Sequence, residues 1–191
     1  MEKRPYVVSL IVVLVFCWNY FIYLSRPFEL NYINAVVAFS GAILLGFSMA
    51  MGSLAKFIRP FRRILNDRRK YGMIGYSLIS LHVFLVMLII FQNESPATMS
   101  FVVSIAFAVF SFAIFSIMAF TSSNKWIKSL GIEKWKKIQN LGYLALVFVI
   151  AHIALLANGA FVTQRLTGQI VLSFLMLVLL LKIFSYFLRR S

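Results

Sequence analysis

At 191 residues, 62% hydrophobic and only 13% charged, the chain is too poor in charge for a soluble domain, where about a quarter of residues carry charge. Uncharged apolar runs recur along its whole length and read as an integral membrane protein. A net charge of +14 would suit nucleic acid, but the basic residues lie in short runs between apolar segments, as the positive-inside rule requires, so no nucleic-acid partner is expected.

The N-terminus carries Lys3 and Arg4 and leads into a first apolar run, 6–24. Its flank, Tyr23-Leu24-Ser25-Arg26-Pro27, holds no small-x-small cleavage site, so the run reads as a retained span rather than a signal peptide. Cys17 lies within it; a lone cysteine excludes a disulfide framework or a thiolate metal site in one chain and reads as packing. The second span, 33–55, contains Gly41, Ser48, Gly52 and Ser53, small residues that permit close helix packing in lipid. The loop 56–71 is the most basic, with seven Lys and Arg against Asp67, and Pro60 argues against a helix running straight through it. A third span, 72–91, is followed by a short loop with Glu94 and Pro96, then a fourth span, 101–120. The loop 121–137 carries five lysines against Glu133. The fifth span is 138–157, Asn158-Gly159 marks a turn, and the sixth span is 167–188, near whose end Lys182 can snorkel to the interface.

Lys and Arg counts per connection run two, one, seven, zero, five, one and three, with Lys182 counted in the last. The heavy connections all fall on one side. The expected architecture is therefore all-α: an integral membrane six-helix bundle, one transmembrane domain over 1–191, with N- and C-termini cytoplasmic and a multi-pass placement in the cell (plasma) membrane. The sequence offers no Gly-rich phosphate loop and no metal-ligand cluster outside the spans. Chemistry must occur within the helices or in a partner.

The chain has two histidines, His82 in the third span and His152 in the fifth. An ionisable residue inside a hydrophobic span is costly and marks a candidate site. Both spans enter from the same side. His82 lies twelve residues beyond Lys70 and His152 fifteen beyond Lys137, depths of roughly 18 and 22 Å at 1.5 Å per residue. Two imidazoles at similar depth suit the axial positions of a haem between helices. No nearby Cys, Asp or Glu completes a zinc site, and no acidic chain makes a proton relay. Two readings stand at this point: a bis-histidine haem b, or two unrelated histidines bonded to Ser or Tyr hydroxyls. Met87 and Met99 read as packing rather than ligands.

Arg68-Arg69 followed by Gly72 and Leu81-His82, then Thr121-Ser122-Ser123, Leu130-Gly131, Trp135, Tyr143 and His152, form an ordered string that resembles the ferric-reductase-like transmembrane domain family. The nearest likeness within it is the haem-binding membrane subunit of bacterial methionine-sulfoxide reductase systems. The resemblance covers residues 40–157 well and the outer spans by count. It implies a haem b protein that carries electrons, with His82 and His152 as axial ligands of the haem iron. The family commonly has a further histidine before the second ligand, where this chain has Gln139. One haem is therefore expected, and Gln139 is read as a hydrogen-bonding group at the inner edge of the bundle. Quinol or a flavin such as FMN is the expected donor-side cofactor, and a partner reductase or redox protein the acceptor. Arg165, Gln92, Asn93, Asn158 and Gln164 are candidates to meet the haem propionates. The resulting function is an oxidoreductase component, an electron-transfer subunit, rather than a complete enzyme. The alternative is a haem-free scaffold or transporter built on the same bundle, which the missing histidine favours.

Overall fold

The computed structural model describes residues 3–92, 98–156 and 166–187, all but a few of them helical. Six stretches among these are long and apolar enough to cross a membrane: Arg4–Tyr23, Leu30–Phe57, Arg59–Phe91, Met99–Phe120, Ile132–Leu155 and Leu166–Phe187. The protein is an all-α membrane bundle, and its exposed belt of Phe, Leu, Ile and Val side chains contacts lipid.

Helix α1 runs Arg4–Cys17 and continues as a π-helical turn, Trp18–Tyr23. Cys17 is a free, half-buried thiol packed against the core, as a small apolar residue would be. Helix α2, Leu30–Phe57, ends where Ile58 turns extended, and α3, Arg59–Ile64, restarts with Pro60 in its first turn. That position suits proline, because the amide it lacks would be unpaired there. The break expected from Pro60 thus falls two residues ahead of it. Helix α4 spans Arg68–Gln92 and α5 Met99–Phe120. Two short helices follow, α6 (Asn124–Leu130) and α7 (Ile132–Asn140), joined at Gly131, whose φ of +74° only glycine adopts readily. Helix α8 is Gly142–Leu155 and α9 is Leu166–Phe187.

Helix α2 is the hub: 67% of its most apolar stretch is buried, against 11% for the Arg4–Tyr23 span and 6% for the Arg59–Phe91 span. It packs chiefly on α4 and α9, while α5 pairs with α8. Small residues at matched spacing make the α2–α4 contact close. A Cβ on Gly75 would stand 2.8 Å from the backbone nitrogen of Leu45, and one on Gly41 would stand 2.9 Å from Ile79. The Ser48 hydroxyl donates to the Arg68 carbonyl at 2.8 Å, and the Arg68 Nε–H donates to the Ser48 carbonyl at 2.9 Å. Gly52 lies under the Arg68 guanidinium. The small residues expected to serve packing do so here.

The α7 helix closes the end of α5. The last carbonyls of a helix have no partner within it. Trp135 Nε1–H donates to the Thr121 carbonyl at 3.1 Å, and Gln139 Nε2–H donates to the Met118 carbonyl at 3.2 Å. Trp135 and Gln139 stand four apart, so one face of α7 presents both donors.

Candidate functional site

His82 and His152 line one cavity of about 400 Å³, with walls from α2, α4, α5, α8 and α9. That volume falls within the range of roughly 300–1,000 Å³ typical of small-molecule and cofactor sites. Its walls are mostly apolar. Ala35, Ala38 and Ala42 form a stripe of small side chains along α2, which leaves space in the middle of the bundle, and Phe39, Phe112 and Phe115 supply aromatic surface. Asn31 and Asn34 line the cavity from the first turns of α2.

Each imidazole is fixed through one nitrogen. His82 Nδ1–H donates to Asn34 Oδ1 at 2.7 Å. His152 Nδ1 lies 3.0 Å from the Ser104 carbonyl, which can only accept, so that nitrogen carries the proton. Ser104 Oγ sits 2.9 Å from the same nitrogen and donates its own proton to the His152 carbonyl at 3.1 Å. Ser104 is wholly buried. Among the described residues neither Nε2 has a hydrogen-bond partner. The tautomer is thereby set in both rings, with Nε2 left as an unprotonated lone pair, the state in which imidazole ligates a metal.

One element of the simpler reading is present, since His152 does meet a serine hydroxyl. The pair is nonetheless not unrelated: both rings line the same cavity, and both are held by neutral acceptors at Nδ1. From the sequence, Asn34 has no role beyond leading, with Asn31, into the second span, and Ser104 has none. Asn34 carries a signal, as an amide at the mouth of a lipid span needs a partner. Ser104 carries little, because serine is common in spans as a packing residue.

Gln139 does not line the histidine cavity; it lines a second one, of about 600 Å³, at the basic end of the bundle. Leu45 and Phe115 belong to both cavities and stand between them. Apolar side chains therefore line the boundary between the polar end and the histidines. Met87 and Met99 line neither cavity and are largely exposed on the outer surface of the bundle. Of the candidates for propionate contacts, Asn93, Asn158, Gln164 and Arg165 lie outside the described residues, as does the Gln92 side chain.

The chemistry of the donor set can be tested against haem. Two neutral imidazoles with free Nε2 atoms, apolar walls with aromatic rings, and a stripe of alanines fit a flat macrocycle with two axial ligands. Among the described residues no group of three or more His, Cys, Asp and Glu could hold a metal ion by side chains alone.

No curated protein matches the chain. The family model described as ferric reductase like transmembrane component matches residues 35–150, from the Ala35 wall of the cavity to two residues before His152. With more than half its length so matched, around the helices that build the cavity, this chain belongs to the ferric reductase like transmembrane component family.

Proposed function

We propose that this protein is a haem b-binding membrane electron-transfer subunit, with His82 and His152 as the axial ligands through Nε2. The membrane electron-transfer role follows the family; the finer reading rests on one observation. Both histidines of the chain line one cavity with Nδ1 committed to a neutral acceptor and Nε2 free. Two unconnected packing histidines have no reason to share that pattern.

Haem iron, when bound, supplies a one-electron ferric/ferrous couple. The chain's own residues do the rest. Asn34 and Ser104 hold the imidazole planes and tautomers, so little reorganisation accompanies ligation. Phe39, Phe112 and Phe115 add aromatic surface to the cavity, and burial is one of the levers that set a haem potential. The Asn31 amide lines the same cavity near the start of α2 and can hydrogen-bond a propionate.

In this reading the basic end faces the cytoplasm, with both termini there, and the protein resides in the cell membrane. A quinol or a flavin donor delivers electrons from that side, and a partner redox protein or acceptor receives them on the other. The resemblance of the motif string to methionine-sulfoxide reductase membrane subunits suits a partner reductase as the acceptor.

The test is the absorption spectrum of the detergent-purified protein, oxidised and dithionite-reduced, for wild type, His82→Ala and His152→Ala. The expected result is a low-spin b-type spectrum at one haem per chain, lost or turned high-spin in each variant. A wild type that purifies colourless despite haem supplied during expression would overturn the proposal.

A further inference from the structure

The cavity at the basic end has a composition that membrane topology alone does not account for. Five cations line it, Lys56, Arg68, Arg69, Lys136 and Lys182, and among the described residues no Asp or Glu does. The positive-inside rule explains why cations gather at one end of the bundle. It does not require them to converge on one hollow from α2, α4, α7 and α9 without a carboxylate. Their hydrogen bonds go to neutral groups. Arg68 donates to the Ser48 carbonyl, Arg69 to Asn124 Oδ1 at 3.1 Å, and Lys182 to Asn140 Oδ1 at 3.1 Å. Lys56 reaches Ser185 at 3.4 Å, the outer limit for such a bond. The Lys182 ammonium also lies 4.5 Å from the centre of the Tyr143 ring.

Arg68 is the more telling of these. Its Nε–H donates to the Ser48 carbonyl, and among the described residues its guanidinium pairs with no carboxylate. An anion beside it would pair with the guanidinium's terminal nitrogens. The cavity is not polar throughout. Leu45, Met49, Phe115 and Met118 line it as well, so a bound molecule meets both charge and apolar surface.

We infer that this cavity binds a phosphate-bearing amphiphile, with the phosphate among Lys56, Arg68 and Lys182 and the apolar portion toward Leu45 and Phe115. The phosphate belongs to a membrane lipid headgroup or to a free phosphate ester; the chemistry recognised is the same. This site is separate from the histidine cavity and does not depend on haem.

The experiment uses the full-length protein in two arms. In the first, native mass spectrometry follows lipid retention after reconstitution in phosphatidylcholine bilayers with and without phosphatidylglycerol. In the second, calorimetry measures inorganic pyrophosphate binding in neutral detergent. Each arm compares wild type with Lys56→Gln and with Lys56→Gln/Lys182→Gln. Retention of one phosphatidylglycerol per chain, reduced at least tenfold in the double variant, supports the site and assigns it to lipid. Saturable pyrophosphate binding, weakened tenfold by the same changes, supports it and assigns it to a soluble phosphate. Absence of saturable binding in both arms, or binding unaffected by either variant, overturns the inference. Lys56→Gln guards against loss of fold, because the bonds it removes are long ones to Ser185.

Discussion

The two cavities of the bundle differ in how their polar groups are used. In the histidine cavity each titratable side chain has one partner, a neutral acceptor, and one free nitrogen. In the basic cavity several cations share a space that, among the described residues, no opposite charge lines. Leu45 and Phe115 are common to both, so an aliphatic and an aromatic side chain separate a neutral apolar chamber from a strongly positive one. Buried charge is costly and burial of a satisfied neutral imidazole much less so. That is why the deep chamber carries histidines, while the cations sit at the end, where lysine and arginine stems can reach water.

The largest expected effect comes from the helix contact that supports both chambers. Gly75 on α4 abuts the backbone of Leu45 on α2, and backbone cannot move aside as a side chain can. Gly75→Val should push the helices apart and deform both cavities. Overpacking of this kind typically costs about 1–3 kcal/mol, occasionally more. The expected outcome is loss of monodisperse protein in detergent, or a sharply lowered Tm with no bound haem. Gly131→Ala offers the control, since nothing lies within 4 Å of a Cβ there and the effect is confined to its positive φ. Normal stability in Gly75→Val would show that the α2–α4 contact does not define the chambers.

A smaller effect, confined to the histidine chamber, is expected at the groups behind the histidines. Removing such a partner typically lowers metal affinity by about 10–100-fold. Asn34→Ala frees the His82 ring and should weaken haem binding by that order, measured by haem transfer to an apo-acceptor protein. Asn34→Asp replaces a neutral acceptor with an anion, makes the ligand more basic and should lower the midpoint potential. The basic chamber should be untouched by both changes, with its phosphate binding intact. Haem affinity and potential that ignore both substitutions would indicate that the Asn34 contact is incidental.

The six spans were legible in the sequence because a lipid span needs a long uncharged apolar run, and that signal is local. The histidines stood out because ionisable groups are rare in such runs. Their partners did not stand out. Asn34 and Ser104 lie 48 residues from the histidines they hold, and which serine or asparagine faces which ring depends on helix rotation, which composition does not encode. The division into two chambers was equally hidden, since it rests on Leu45 and Phe115, ordinary apolar residues on different helices. Trp135 was noticed as part of a motif; its work, closing the carbonyl end of α5, needed the fold of α6 and α7 to become visible.

The smallest expected effect concerns Gln139, the position at which the family resemblance raised the expectation of a histidine. Its Nε2–H donates to the Met118 carbonyl, and it lines the basic chamber, not the histidine one. Gln139→Leu removes one hydrogen bond at a partly buried helix end and should cost about 0.5–1.5 kcal/mol, read as a modest fall in Tm with the haem spectrum unchanged. Gln139→His tests the contrast more sharply. A second haem would need a facing histidine across the basic chamber, and no histidine lines that chamber. A pyridine haemochrome assay should therefore still give one haem per chain. Two haems in this variant would mean that one glutamine alone keeps the basic chamber from a porphyrin, and that its cations serve propionates, not a separate phosphate.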